Sequence, residues 1–249
     1  MLWPSRGCSS PKGTRSPEVQ HDDLSTELRL LSDHGDNLLA EKTRLINQLH
    51  GQMLQVDPSY KEKSGRLTDT RGVTYCRDVA LPQDDRLLRT RLFIVHQLAE
   101  QILRLDAEVA AVAAELTARV QESQTPILAL RGVGTIVAAR IIGEMGVAPR
   151  IRSAVALAAL AGISPVAMSS GGRGGYRLNR GGNRQLNRAI HVIALTQRRC
   201  DPRGRAYYMK KRAEGKTPRA ALRCLKRRLV DVLFRAVSRP KEPRRGVAA

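Results

Sequence analysis

The chain has 249 residues, with 43 lysines and arginines against 23 aspartates and glutamates, a formal charge of +20 and a pI near 10.9. That length can bury a core without disulfides or a structural metal, and so basic a chain favours a polyanionic partner. There is no apolar run of about 18 residues, and no charged-then-apolar leader with a small-residue cleavage site; no membrane partner and a cytoplasmic, nucleoid-associated location are therefore expected.

The charge is segregated. Residues 171–249 hold 23 basic and 4 acidic side chains, whereas residues 1–170 hold 20 and 19. A local surface that neutralises phosphates and releases counterions accounts for such a distribution; a basic tail without fixed structure is the alternative. Cys8, Cys76, Cys200 and Cys224 lie far apart with no C-x-x-C pair, so neither zinc spacing nor a disulfide framework is visible and reduced thiols are expected.

In chain order, residues 1–20 are rich in Ser, Pro and Gly, lack periodicity, and are expected to be disordered. From Asp22 to about Val56, Leu24, Leu28, Leu31, Leu38, Leu45 and Leu49 recur at helical spacing, which predicts one long amphipathic helix bent at Gly35. Residues 59–85 are polar, contain Gly65, Gly72 and Pro82, and read as a linker with a short helix. Beyond Arg86, Val95, Leu98, Ile102, Leu105, Val109, Val112 and Leu116 alternate three and four apart. That is a coiled-coil seam between two chains, or one face of an intramolecular helical hairpin with the first helix. The long-helix region is therefore set at 21–123.

Thr125-Pro126 reads as a helix start and opens a composition rich in Ala, Gly and branched aliphatics, so a second domain is placed at 124–237. Its last helix begins at Thr217-Pro218 and runs to about Val237, followed by a disordered basic tail at 238–249. Nothing argues for a large sheet. The fold class expected is mainly α: long helices in a coiled coil or helical hairpin, then a compact helical domain.

Two motifs carry chemistry. Leu130 to Ile142 contains a Gly132-Val133-Gly134 turn like that of a helix-hairpin-helix, where glycines let backbone approach a phosphate and the next helix presents its first amides to the anion. Such a turn binds DNA backbone without reading sequence, and a tight helix-helix turn with no ligand is the alternative. Thr135 caps the second helix on both readings. The second motif runs from Ala161 through Ser169, Ser170, a Gly- and Arg-rich loop, and Asn183 to Arg188. Glycines give mobility, arginines give bidentate phosphate donors, and a hydroxyl among them can attack a phosphodiester; an inert flexible linker has the same composition. His191 reads as a satisfied histidine, not a base.

The order of Ala161-Gly162-Ile163-Ser164-Pro165, Ser169-Ser170-Gly171-Gly172 and Arg180-Gly181-Gly182-Asn183-Arg184-Gln185-Leu186-Asn187-Arg188, with Leu130-Arg131-Gly132-Val133-Gly134-Thr135 upstream, resembles the C-terminal transposase domain of the insertion sequence 110/116/902 family. The segment Thr26 to His50 also resembles the helix that follows that family's nuclease domain. The resemblance implies a recombinase with two chemistries. One is a RuvC-like domain with four acidic ligands for Mg²⁺; the other is a serine that attacks DNA to form a phosphoserine link. Oligomers, here joined through the coiled coil, and a structured guide RNA are implied as well.

It puts the nucleophile on Ser170, with Ser169 second, and lines the phosphate path with Arg173, Arg180 and Arg184; Arg177, Asn183, Arg188, Gly132, Gly134 and Thr135 complete the DNA-binding set. The nuclease acids of the family lie upstream of the helix beginning near Asp22, and only about twenty residues precede it here. Asp22 and Asp23 read as helix-dipole charges. The expectation is thus a transposase fragment with no metal ligands or cofactor of its own, incomplete in transposition by itself. The alternative is a non-catalytic fragment that occupies DNA or RNA or joins full-length transposase; a decayed reading frame is a third.

Overall fold

The computed structural model describes residues 23–80, 85–146, 151–170, 173–179 and 181–238. The expected disorder of 1–20, the bulk of the 238–249 tail, and Arg180 lie outside the described residues.

Two helices set the length of the molecule. α1 (Asp23–Val56) and α4 (Arg86–Glu122) each span roughly 50 Å at 1.5 Å per residue. They run antiparallel along one another: Leu28 of α1 shares a core with Leu116 and Val120 of α4, and Met53 at the other end shares one with Leu92 and Val95. The intrachain hairpin is therefore the arrangement observed, and α4 uses its apolar seam against α1. Gly35 does not break α1; a Cβ there would lie 3.4 Å from Val112 Cγ1, so the position marks close helix approach.

The polar stretch expected to be a linker is packed structure. α2 (Tyr60–Ser64) and α3 (Thr70–Asp78) close the far end of the hairpin, burying Tyr60, Leu67, Val73, Cys76 and Val79 against α1 and α4. The Tyr60 hydroxyl meets His50 Nδ1 at 2.5 Å, and His96 Nε2 meets the Val79 carbonyl at 2.9 Å. Apolar residues here come singly among charges, which hides the pattern from a periodicity test.

The other end of the hairpin enters a second core. A short 3-10 helix (Pro126–Ala129), α5 (Thr135–Met145), α6 (Ala154–Leu160), α7 (Arg184–Cys200), α8 (Pro202–Ala213) and α9 (Pro218–Ser238) gather around Ile127, Ile141, Leu157, Leu186, Ile190, Ile193, Leu229 and Leu233. Leu28, Leu116 and Val120 belong to the same cluster, so the long helices are built into it. α5 crosses α1 closely enough that a Cβ on Gly143 would stand 2.8 Å from the Arg29 backbone nitrogen. Asp201 opens α8 by accepting the Gly204 amide at 2.6 Å, and Thr217 opens α9 by accepting the Ala220 amide at 3.3 Å.

The Gly- and Arg-rich run is not a loop. β1 (Pro165–Ser170) and β2 (Arg173–Leu178) form an antiparallel two-stranded hairpin, with Ser170 opposite Arg173, Ser169 opposite Gly174 and Val166 opposite Arg177. Antiparallel pairing needs only backbone donors and acceptors, which glycine supplies as well as any residue.

Candidate nucleic-acid interface

The base of the β1–β2 hairpin is fixed by close backbone contact. The chain enters at Gly162, whose φ is +64°, and leaves at Gly182; a Cβ on Gly182 would lie 2.2 Å from the Gly162 nitrogen. Three hydrogen bonds lock this crossing: Asn183 N to the Leu160 carbonyl at 2.6 Å, Asn187 Nδ2 to the Ala161 carbonyl at 2.7 Å, and Gly181 N to Asn179 Oδ1 at 3.0 Å. The sequence Gly-Gly-Asn-Arg-x-Leu-Asn-Arg is thus the mounting of the hairpin: glycines where two backbones touch, asparagines where carbonyls need donors.

Asn183 belongs to the DNA-binding set expected from the sequence, but in the structure its side chain has protein partners. Its Oδ1 caps α7 by accepting the Leu186 amide at 2.9 Å, and its Nδ2 donates to Glu144 at 2.6 Å. Behind Glu144 stands Arg140, nearly buried in α5 and facing three carboxylates: Asp33 at 2.5 Å, Asp36 at 2.8 Å and Glu144 at 3.4 Å. It also donates to the Ser32 carbonyl at 2.7 Å, and Gln185 donates to Asp36 at 3.0 Å. This node ties α1, α5 and the start of α7 together. Sequence reasoning missed it, although an arginine inside Val137-Ala-Ala-Arg-Ile-Ile-Gly-Glu144, with a glutamate one turn on, carried a signal: a charge on an apolar helix needs a partner.

Arg184 and Arg188 project from α7 into solvent, one turn apart and adjacent to the hairpin mounting. Half-buried His191 follows them. Desolvation, then the Lys226 charge, holds its pKa below the usual histidine value, so it carries no fixed positive charge to the interface. Lys226 is buried to 9% exposure and donates to Asn187; burial lowers its pKa as well.

The Gly132-Val133-Gly134 turn lies against α7. Gly132 has φ +89°, and a Cβ there would meet Thr196 at 3.1 Å. Arg131 Nη1 donates to the Cys200 carbonyl at 2.7 Å, and Gln197 Nε2 donates to the Arg131 carbonyl at 2.9 Å. Gly132 therefore serves turn geometry and helix packing, whereas Gly134 faces open space. The element before the turn is a single 3-10 turn, and Thr135 does not cap α5. Gly134 is the N-cap, without a side-chain bond, and the Thr135 hydroxyl accepts instead from Thr117 of α4 at 3.2 Å.

Among the described residues no group of three or more His, Cys, Asp or Glu could hold a metal, and the carboxylates Asp33, Asp36 and Glu144 are bound to Arg140. No described helix is long and apolar enough to cross a membrane. Cys76, Cys200 and Cys224 are free thiols, and burial pushes that of Cys76 up to about 11.

Residues 124–209, which contain the turn, the hairpin, α7 and most of α8, match the model of the transposase IS116/IS110/IS902 family. The chain is 31% identical, over 86% of its length and 63% of the relative's, to an uncharacterized 43.6 kDa protein of insertion element IS110 from Streptomyces coelicolor. It is 30% identical, over 88% of its length and 65% of the relative's, to an uncharacterized 44.8 kDa protein of insertion element IS116 from Streptomyces clavuligerus. A 42 kDa protein of insertion element IS900 from Mycobacterium paratuberculosis is 27% identical over 86% of the chain and 64% of the relative. The chain thus spans just under two thirds of the length of these relatives, and its similarity to the transposase IS116/IS110/IS902 family is carried by the family-model match over residues 124–209.

Proposed function

We propose that this chain is an insertion-sequence transposase component that binds DNA on the hairpin side of the 124–209 domain and uses Ser170 as a nucleophile. The observation that carries the reading is the hairpin register: Ser170 ends β1 opposite Arg173, on a mounting that also presents Arg184 and Arg188 to solvent. The hydroxyl loses its proton as its oxygen bonds to a backbone phosphorus. The bond from that phosphorus to one strand oxygen breaks, and the departing oxygen takes a proton. Arginines beside the phosphate offset the charge that accumulates on its oxygens. Attack by a strand hydroxyl on the phosphoserine reverses the step and rejoins a strand, so no external energy source is needed.

Gly134, Thr135 and Arg188 extend this surface along the DNA backbone, and Arg177 and Arg180 are assigned to the same DNA-binding set from the sequence. A structured RNA and a second copy of the chain are further partners under the same reading. Among the described residues no cluster of His, Cys, Asp or Glu suits Mg²⁺, and Asp33, Asp36 and Glu144 are engaged by Arg140.

Incubating the protein with end-labelled DNA of the element's termini is expected to give an adduct that survives detergent. Ser170→Ala abolishes it and leaves gel-shift binding intact. An adduct that persists in Ser170→Ala refutes the assignment, and its absence from the unaltered protein favours the second reading, a non-catalytic nucleic-acid-binding or regulatory chain.

A further inference from the structure

The ion pairs of this protein are unevenly spread. On the long helices and α5, Lys42, Arg44, Arg119 and Arg140 all face carboxylates. Between Arg198 and Arg228 there are 13 basic residues and two acidic ones, and among the described residues only Lys211 with Glu214 and Arg227 with Asp231 pair there. Most of the surplus is therefore left facing solvent, buried Lys226 being the exception.

On α8 it takes a definite shape. Buried Gly204 and Tyr208 fasten one side to α7: a Cβ on Gly204 would stand 2.9 Å from Gln197 Cβ, and the Arg198 guanidinium lies 5.4 Å from the Tyr208 ring centre. At about 100° per residue, the opposite side carries a low ridge of exposed Ala206, Met209 and Ala213. Arg203 and Lys210 stand about 80° to one side of that ridge, and Arg205 and Arg212 about 80° to the other. All four are exposed, none forms an ion pair among the described residues, and the two members of each pair lie roughly 10.5 Å apart along the axis. Arg205 and Arg212 are steadied by donating to the Arg199 and Lys216 carbonyls.

We propose that α8 lies in the major groove of duplex DNA, with its small-residue ridge towards the base edges and its two cation rows on the phosphates of the two rims. A groove about 12 Å wide admits a helix, and a ridge without hydrogen-bond donors reads shape and methyl groups, leaving affinity to the backbone contacts. The deep, narrow major groove of A-form RNA does not admit such a face, so the partner is DNA. The inference rests on the DNA-acting reading above and adds a surface to it, on a different element from the β1–β2 hairpin.

The test uses the full chain and fluorescence anisotropy over a salt series, with duplex DNA of about 25 base pairs, the matching duplex RNA, and single-stranded DNA. Combined Arg203→Ala, Arg205→Ala, Lys210→Ala and Arg212→Ala is expected to reduce the slope of log K against log salt by about 3 to 4. Ala206→Trp with Ala213→Trp leaves the charge unchanged and blocks the ridge. It is expected to weaken duplex DNA binding at least tenfold while changing single-strand binding less than twofold, with circular dichroism unaltered. A ridge variant that binds duplex DNA like the unaltered protein, or that loses duplex RNA binding equally, overturns the proposal. If Ser170-dependent adducts still form in that case, only the α8 surface falls; if the unaltered protein shows no salt-dependent DNA binding, the DNA reading falls with it.

Discussion

Arg140 joins the long-helix hairpin to the domain that mounts β1 and β2, and its removal has a calculable cost. Its side chain is 11% exposed; of its three carboxylate partners Asp33 is 51% exposed, Asp36 35% and Glu144 10%. Solvent screens the first two pairs, each worth at most about 1 kcal/mol. Glu144 is different. In Arg140→Ala its carboxylate stays nearly buried with the Asn183 amide as its hydrogen-bond donor, and an uncompensated buried charge costs about 2 to 3 kcal/mol after relaxation. The expected total is roughly 3 kcal/mol, read as a fall in the urea midpoint followed by far-ultraviolet circular dichroism. Adding Glu144→Gln to Arg140→Ala removes the stranded charge and is expected to recover about half of the loss, whereas Arg140→Lys keeps the charge without the fork and costs about 1 to 2 kcal/mol. A loss under about 1 kcal/mol in Arg140→Ala, or a double variant no more stable than the single one, refutes the reasoning.

Other outcomes follow from single residues. Gly132→Ala, at φ +89° and against Thr196, is expected to cost about 1 to 3 kcal/mol by thermal unfolding, and Gly182→Ala more, since its Cβ has no room beside Gly162. Lys226→Met is expected to raise stability by about 1 kcal/mol at pH 7. The sign is fixed by the depressed amine: the folded state disfavours its protonated form, so the unaltered protein gains stability as pH rises from the folded pKa towards 10.5, and the advantage of the variant shrinks over that window. Paired denaturation curves across that range check it. In site-resolved alkylation at pH 7.5, exposed Cys200 is expected to react quickly, while buried Cys76, with its thiol raised to about 11, reacts only on unfolding. For Arg184→Ala and Arg188→Ala together, the salt dependence of DNA binding is expected to weaken by close to 2 in slope, and an unchanged slope removes α7 from the interface.

The long apolar periods were legible because α1 and α4 each repeat a local pattern over about ten turns, and the starts of α1 and α4, like that of α9 at Thr217-Pro218, were read to within a residue or two. The segregated charge and the order of motifs from Leu130 to Arg188 were legible too, since both are properties of the chain as written. The hairpin was not legible in this way: arginine and glycine mask the alternation of β1 and β2, so the run reads as a loop.

What the chain alone left undecided was partnership. The same α4 seam suits another molecule or α1, and only the fold shows that α1 takes it. Asn183 reads equally well as a phosphate donor or a helix cap until Leu186 and Glu144 are brought to it. Gly132 reads as a phosphate turn until Thr196 of α7 occupies the space beside it. Periodicity, charge and motif order are carried by neighbours along the sequence, whereas burial, ion pairing and close backbone approach arise between segments up to about 150 residues apart, and so belong to the tertiary structure.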